Sequence, residues 1–414
     1  MYLNLFDDHD ARFYPLTFSR STGDLRCGIL KLRQRLSVFL NAEDDAALIE
    51  PRLFDLYKER HPDWMIPLHK PGVTDPTQLP NTLYVNTRVK VIDRTIEAIK
   101  ALMSGQALVN GDDLIALHSN QSIPKSFNAA GVKQDGSYHV IDTEYPIYHH
   151  LADLIHDNKR LIEWDFQKVF NDKDSFFDTE LGVTILNPYN VWLGEGAVLK
   201  PGVVIDASDG PVVIDVGACI MPNAVIVGPA YIGKKSIIKI GAKIYPGTSI
   251  GPVCKVGGEV EDSIFQGYSN KQHDGFLGHS FIGEWVNLGA DTNNSDLKNN
   301  YHPVKFYSYA DGDKIDSQSQ FLGAMIGDHT KIGINCSINT GCVIGVGCNL
   351  YGSALISDHI PSFSWGTADD PKPFRFDAFI QTAQIVKQRR GMALSRSELE
   401  LYNHLYIKES NGKT

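Results

Sequence analysis

The stretch that decides the fold is Ile214-Asp-Val-Gly-Ala-Cys-Ile220-Met-Pro-Asn-Ala-Val-Ile226-Val-Gly-Pro-Ala-Tyr-Ile232, continued through Ile238, Ile244, Ile250 and Val256. An aliphatic side chain returns at every sixth residue. Small residues follow four positions later, at Ala218, Ala224, Ser236, Ala242, Thr248 and Cys254. A strict six-residue period with one large apolar and one small position is the signature of a hexapeptide β-helix. Each hexapeptide makes one flat face, and three faces close a triangular coil of about eighteen residues. The aliphatic fills the core, the small residue fits the corner, and each coil buries its core only against its neighbours.

The period extends outward on both sides. Leu193, Leu199 and Ile205 precede the block; Phe276, Ile282 and Leu288 follow it, and then Ile326, Ile332, Ile338, Ile344 and Leu350. Ala197, Thr330, Cys336, Cys342 and Cys348 hold the small position. This phase accounts for the row of cysteines six apart as buried corner residues instead of a zinc site or disulfide framework. Two stretches depart from the period, residues 257–275 and 291–320. A solenoid is a scaffold, so chemistry is expected where it is interrupted. His273 falls in the first interruption, just before Phe276, and imidazole has the right pKa for a general base. His279 lies where the repeat resumes and reads as structural.

At 414 residues the chain suits two domains. A formal net charge of −10 argues against a general nucleic-acid or anionic-membrane binder. No run of 18 or more apolar residues exists, so no membrane span is expected. Acids near the N-terminus speak against a signal peptide, and a cytoplasmic location is the default.

Ahead of the repeat, strands alternate with helices. Tyr2–Phe6, Thr82–Asn86 and Ala107–Asn110 read as strands. Leu25, Ile29, Leu32, Leu36 and Phe39 recur at helical spacing, Pro51–Arg60 reads as a second helix, and Asp93–Met103 as a third capped by Asp93. That alternation implies a parallel-type α/β sheet, whose ligands bind beyond the carboxyl ends of its strands. The expected domains are an α/β domain over 1–142, a helical connector over 143–182, the β-helix over 183–360 and a helical tail over 361–414. His149, His150 and His156 in the connector read as structural, not as a metal site. Asp7-Asp8-His9-Asp10 reads as a polar loop, with a metal site as the lesser alternative. In the tail, Ser395 or Ser397 caps a last helix, and Lys387, Arg389 and Arg390 read as a solvated face.

Several motifs carry a resemblance. Arg12-Phe-Tyr-Pro-Leu-Thr17, Asp24-Leu-Arg-Cys-Gly-Ile-Leu30 and Asn110-Gly-Asp112 look like the opening and strand-end motifs of sugar-1-phosphate nucleotidyltransferases. His273-Asp-Gly-Phe276-Leu-Gly278, Ile282-Gly-Glu-Trp-Val-Asn287-Leu-Gly-Ala290 and Asn300-Tyr301 look like an acetyltransferase half. Together they resemble the bacterial bifunctional N-acetylglucosamine-1-phosphate uridylyltransferase and glucosamine-1-phosphate N-acetyltransferase family. The resemblance implies a left-handed β-helix, a homotrimer, Mg²⁺, and the co-substrates acetyl-CoA and UTP acting with a sugar phosphate. His273 would be the catalytic base. Glu259, Phe276, Asn287, Lys298, Asn300, Tyr301 and Lys305 would bind substrate, with a lysine on the sugar phosphate, and Ala290 would face acetyl-CoA. Arg12, Arg20 and Arg26 would hold nucleotide phosphates, and Asp112 would hold the metal.

Two departures stand out. The family's glycine loop is replaced by Phe6-Asp-Asp-His-Asp-Ala-Arg12, and a family tyrosine is Phe276. Two other readings fit the same motifs. One is a nucleotidyltransferase of other specificity, such as a glucose-1-phosphate thymidylyltransferase, with a purely structural β-helix. The other is a non-catalytic regulator that binds nucleotide sugars.

Overall fold

The computed structural model describes residues 2–8, 10–66, 81–120, 127–176 and 180–412. The chain divides into two compact units that interleave in sequence. The first holds Met1–Asp10, Ser19–Leu25 and Lys31–His149; the second holds Ala11–Phe18, Arg26–Leu30 and His150–Thr414. No helix among the described residues is long and apolar enough to cross a membrane.

The first unit is a six-stranded sheet with helices. Its strands are β1 (Tyr2–Phe6), β2 (Ala47–Leu48), β3 (Thr82–Asn86), β4 (Gln106–Asn110), β5 (Asp113–Ser119) and β6 (His139–Asp142), in the order β2-β1-β3-β5-β4-β6. The sheet is mixed, not parallel throughout. Asn110 pairs with Asp113 across a two-residue turn, Gly111-Asp112, so β5 runs antiparallel to both β4 and β3. Gly111 sits at φ +58°, which glycine adopts without the Cβ penalty.

Helix α1 is shorter than its periodicity suggests, spanning Leu32–Leu40. Gly28 at φ +77° and the extended Lys31 stop any earlier turn. Helix α2 is Phe54–Arg60 after a 3-10 turn at Pro51–Leu53. Helix α3 spans Asp93–Lys100, with Ile92 at the cap position and Asp93 in the first turn, where a carboxylate favours the helix dipole. A short α4 (Ala129–Asp135) completes the unit.

The second unit is a three-sided parallel β-helix. Its nine-stranded first face starts at Val191–Leu193, its ten-stranded second face at Val198–Leu199, and its six-stranded third face at Thr184–Leu186. The chain visits first, second and third faces in turn. The core is the predicted ladder of aliphatics, including Ile214, Ile220, Ile226, Ile232, Ile238, Ile244, Ile250 and Val256. Cys254, Cys336, Cys342 and Cys348 are buried free thiols among them. Burial pushes the Cys254 and Cys348 thiols up to about 12, so they are inert at neutral pH.

Residues 257–275 are not a loop. The coil continues there with shortened corners, and its inward positions become Val260, Phe265, Lys271, Leu277 and Ile282, all at most 1% exposed. Leu277, not Phe276, therefore resumes the core, and Phe276 turns outward. The second departure does leave the prism. Asn293–Asn294 still pairs with Ser337–Ile338 as a continuation of the third face. The chain then makes an excursion over 296–322 with an antiparallel hairpin, Lys305–Ser308 against Asp313–Asp316.

Helix α5 (Leu151–Asp165) belongs to the second unit instead of forming a separate connector. Ile162 and Phe166 pack with Ile29 on Trp192, Val213 and Tyr231, outward residues of the first face. Residues 26–30 form a clip beside this helix. Asp165 accepts hydrogen bonds from the N–H groups of Ile29 and Leu30, and Asn158 from that of Gly28. The N–H of Arg26 donates to Gln266 and the Ser249 hydroxyl to the Gly28 carbonyl. A Cβ on Gly28 would lie 2.8 Å from both Asp165 and Leu161, so glycine is required. The tail carries α6 (Phe376–Gln388) and α7 (Arg396–Ser410). Ser395, not Ser397, caps α7 in a capping box with Glu398.

Candidate functional site

His273 stands exposed in the corner between the second and third faces. The corner is fixed from inside the prism. Lys271 takes an inward position that an aliphatic would normally fill and is 1% exposed. Its Nζ donates to the carbonyls of His273 at 3.0 Å and Gly257 at 3.2 Å, tying two successive corners together. Burial lowers its pKa to about 8, with Asp274 and Asp291 opposing. Gly275, at φ +120°, has no room for a side chain: a Cβ would meet the Thr292 carbonyl at 2.4 Å.

An open cavity of about 540 Å³ lies along this edge, lined by Lys239, Ile240, Gly258, Gln272, His273, Asp274, Ala290 and Asp291. His273 and Ala290, two of the expected site residues, are thus brought together. Phe276 and Glu259 are register partners on the adjoining third face. The Phe276 N–H donates to Asn293 and the Gly278 N–H to Asn294, so side-chain amides replace strand pairing there. Glu259 lies beside Tyr245, accepts its hydroxyl and raises its pKa.

The opposite edge of the third face holds His279. Its Nδ1 is 2.8 Å from Asp296 and its Nε2 is 3.6 Å from Asp262. Burial alone would depress its pKa, but the Asp296 hydrogen bond and the charges of Asp262, Asp296 and Glu261 raise it. The ring also stacks on Phe321, whose carbonyl meets the His156 ring. His150 caps α5 opposite Asp153 and packs on Phe306. No cluster of three or more metal-ligating side chains occurs among the described residues.

Lys298, Asn300, Tyr301 and Lys305 ride on the excursion, which leaves the prism at this same His279 edge. Tyr301 is 64% exposed, and Lys298 donates to the Pro303 carbonyl. Within one chain they do not join His273, because the third face separates the two edges.

Asn287 lies on the second face. Strand register stacks Lys255, Asn270, Asn287 and Lys331 in one outward column. The end of α6 closes over this column. Arg390 donates to Asn270 at 3.1 Å, and Lys387 is buried against Glu398, so this end of the tail is not a solvated face. Sequence reasoning missed Lys255, Lys271 and Lys331. Strand register places them, since Lys255 and Lys331 share the column of Asn287, and Lys271 follows Asn270 on the same strand.

In the first unit the carboxyl ends of β1, β3 and β4 gather charge. The fully buried Arg88 is held by Asp8 at 2.9 Å and Asp113 at 2.7 Å, and Asn86 donates to Asp8. Asp7 accepts the N–H groups of Thr22 and Gly23 and the Thr87 hydroxyl. Burial raises the Asp7 pKa despite these bonds. Asp112 is exposed at the β4–β5 turn, near the Asp142–Lys133 ion pair. His9 of the tetrad Asp7–Asp10 lies outside the described residues.

The three arginines expected on nucleotide phosphates do not form one group. Arg20 is buried in the first unit. Arg12 and Arg26 count with the second, where Arg26 donates to the Ile29 carbonyl and lies 5.1 Å over the Tyr231 ring. Arg26 is a structural part of the clip.

Comparison with known proteins finds partial likenesses. Residues 3–174 match the family described as sugar nucleotidyl transferase. Over 197 residues the chain is 29% identical to the bifunctional protein GlmU of Bartonella quintana, a match covering 45% of this chain and 39% of that one. Over 99 residues it is 35% identical to a bifunctional sugar-1-phosphate nucleotidylyltransferase/acetyltransferase of Sulfurisphaera tokodaii, covering 24% of each. The chain thus spans less than half the length of the curated relatives it matches. Among solved structures, the UDP-N-acetylglucosamine acyltransferase of Francisella novicida aligns with a TM-score of 0.32 at 14% identity, over 56% of this chain and 87% of that one. The chain is thus similar over its front part to sugar nucleotidyl transferases and over less than half of its length to GlmU proteins, and it carries a hexapeptide β-helix.

Proposed function

We propose that this chain acts in nucleotide-sugar synthesis. The β-helix transfers the acetyl group of acetyl-CoA to the amine of glucosamine 1-phosphate. The α/β unit transfers uridylyl from UTP to the resulting N-acetylglucosamine 1-phosphate. The observation that carries the reading is His273, exposed at a corner pinned by Lys271 and sharing one cavity with Ala290.

A primary ammonium must lose a proton before it can attack a thioester. The His273 imidazole takes that proton, the amine nitrogen bonds to the acetyl carbon, and the carbon–sulfur bond breaks to release CoA. Phe276 and Asn287 present one apolar and one polar surface on either side of the corner. Lys298, Asn300, Tyr301 and Lys305 serve the His273 of a neighbouring copy in a side-by-side homotrimer. Support for this comes from their position across the third face from their own His273.

His273→Ala is the direct test: unchanged acetyl-CoA turnover on glucosamine 1-phosphate would remove the reading and favour a structural β-helix. A mixture of His273→Ala and Tyr301→Ala chains, refolded together, tests the trimer. Activity above that of either variant alone is expected from the shared site.

In the α/β unit, a Mg²⁺ that keeps most of its waters needs only one or two protein carboxylates, and exposed Asp112 suits that role. Bound there, the ion would offset charge on the nucleotide phosphates. One observation favours a second reading, in which this unit binds without catalysing. The Asp7 carboxylate already occupies the backbone donors of Thr22 and Gly23. Calorimetric titration of the full chain with UTP and Mg²⁺ separates the two, since no heat at millimolar ligand would leave only the second.

A further inference from the structure

We propose that the cleft between the second face of the β-helix and the end of α6 is a binding site for a phosphate monoester or pyrophosphate group. The cleft encloses about 320 Å³ and is lined by Lys255, Lys331, Arg389 and Arg390 with Asn270 and Asn287. Four further lining residues, Tyr268, Gln272, Trp285 and Val386, are uncharged. Among the described residues no carboxylate lines it.

The fold builds this arrangement. Lys255, Asn270, Asn287 and Lys331 occupy successive strands at one register position. Strands lie about 4.8 Å apart, so the two lysines bracket two amides over roughly 14 Å. Helix α6 ends at Gln388, which sets Arg389 and Arg390 across from that column. The Arg390 guanidinium already donates to Asn270. Lys331 donates to the Trp285 carbonyl.

Among the described residues none of these four cations forms an ion pair within 4 Å, and that distinguishes them from the other cations of the tail. Arg375 pairs with Asp377, Lys387 with Glu398 and Arg396 with Glu400. In a chain with a net charge of −10, four cations converging on a cleft whose lining holds no carboxylate among the described residues are not background. Their mutual repulsion is visible in Lys255, whose pKa burial lowers first and Arg390, Lys239 and Arg389 lower further. An anion relieves that repulsion. Guanidinium forks and ammonium point charges are the groups that grip phosphate oxygens.

Gln272 lines both this cleft and the His273 cavity, so an anion held here lies next to the candidate base. That the anion belongs to a reacting substrate rests on the acetyl-transfer reading; the anion site itself does not. Two substrates carry the required group: the sugar phosphate and CoA.

The test uses the full chain and inorganic pyrophosphate, followed by calorimetry and by tryptophan fluorescence, since Trp285 lines the cleft. Arg390→Ala and Lys255→Gln should each weaken binding about 10-fold, and Arg389→Ala with Arg390→Ala about 100-fold, the loss of one and two charge-assisted contacts. Near-ultraviolet circular dichroism checks that each variant folds. No binding to the wild type at millimolar pyrophosphate, or equal binding by folded variants, overturns the proposal. A raised KM of Arg390→Ala for glucosamine 1-phosphate alone assigns the anion to the sugar. A raised KM for acetyl-CoA but not for its 3′-dephospho analogue assigns it to CoA. His273→Ala should bind pyrophosphate as the wild type does, so loss of the acetyl-transfer reading would leave this result standing.

Discussion

Charge is used in opposite ways in the two units. At the carboxyl edge of the α/β sheet, Arg88 is closed in by Asp8 and Asp113, and Asp7 by backbone donors. Over the second face of the β-helix, Lys255, Lys331, Arg389 and Arg390 converge on a cleft with no carboxylate in its lining among the described residues. The first arrangement satisfies itself and holds structure. The second is incomplete and invites a ligand. Conserving the fold of a nucleotidyltransferase-like sheet therefore says less about its chemistry than the balance of charge at its edge.

The largest expected effect tests the open side of that comparison. His273→Ala should lower acetyl transfer about 10²–10⁴-fold, measured as CoA release with glucosamine 1-phosphate. The thermal midpoint should not move, because the ring is exposed. On the closed side, Arg88→Met strands two partly buried carboxylates. It should destabilise the α/β unit by about 3–5 kcal/mol, read from its urea transition. An unchanged transition would mean that the edge is solvated and open after all.

Lys271 lies between the two cases, a buried cation satisfied only by carbonyls. Its folded pKa of about 8 is below the unfolded value of 10.5, so the folded state sheds the proton first. Raising the pH from 8 to 10.5 should therefore stabilise the wild type relative to Lys271→Met, by about 3 kcal/mol at most. A flat difference across that window would show that the Lys271 charge is not buried in solution. Acetyl transfer by Lys271→Met should fall in kcat more than it rises in KM, because the corner carrying His273 loses its tie.

The smallest effect concerns Lys331, whose pKa burial lowers to about 7 against the pull of Asp328, with Lys255 in the same column and Arg389 and Arg390 across the cleft. Sulfate affinity should fall several-fold as pH rises from 6 to 8 and Lys331 loses its proton. Lys331→Met should abolish the slope. Sulfate keeps its own charge over that range, so the slope reports the protein.

The β-helix was legible because its period is enforced by the core: one wrong residue in six leaves a void or a clash. The eight positions from Ile214 to Val256 all point inward, as the spacing requires. The interruption was legible too, but its nature was not. Shortened corners shift the phase without breaking the coil, so Phe276 was exchanged for Leu277, and Lys271 went unread because a lysine in a core does not look apolar. The column from Lys255 to Lys331 needs strand register, which spacing alone gives only where coils keep one length. The antiparallel β5 was hidden for a simpler reason: a Gly-Asp pair serves equally as a strand end and as a hairpin turn. Arg26 had the composition of a phosphate ligand, and only tertiary packing shows it spent on a carbonyl and a tyrosine face.

The clip at residues 26–30 has a consequence for how the chain is made. Arg26 waits for Gln266, its hydrogen-bond partner 240 residues later. At roughly 5–20 residues per second, a ribosome needs roughly 10–50 s to supply it. Until Trp192, Val213 and Tyr231 are made, Ile29, buried in the finished protein, has no first face to cover it. The nascent chain is then most open to proteases and wrong partners at a segment near its beginning, and any product that stops short of residue 192 carries that segment without its first-face cover.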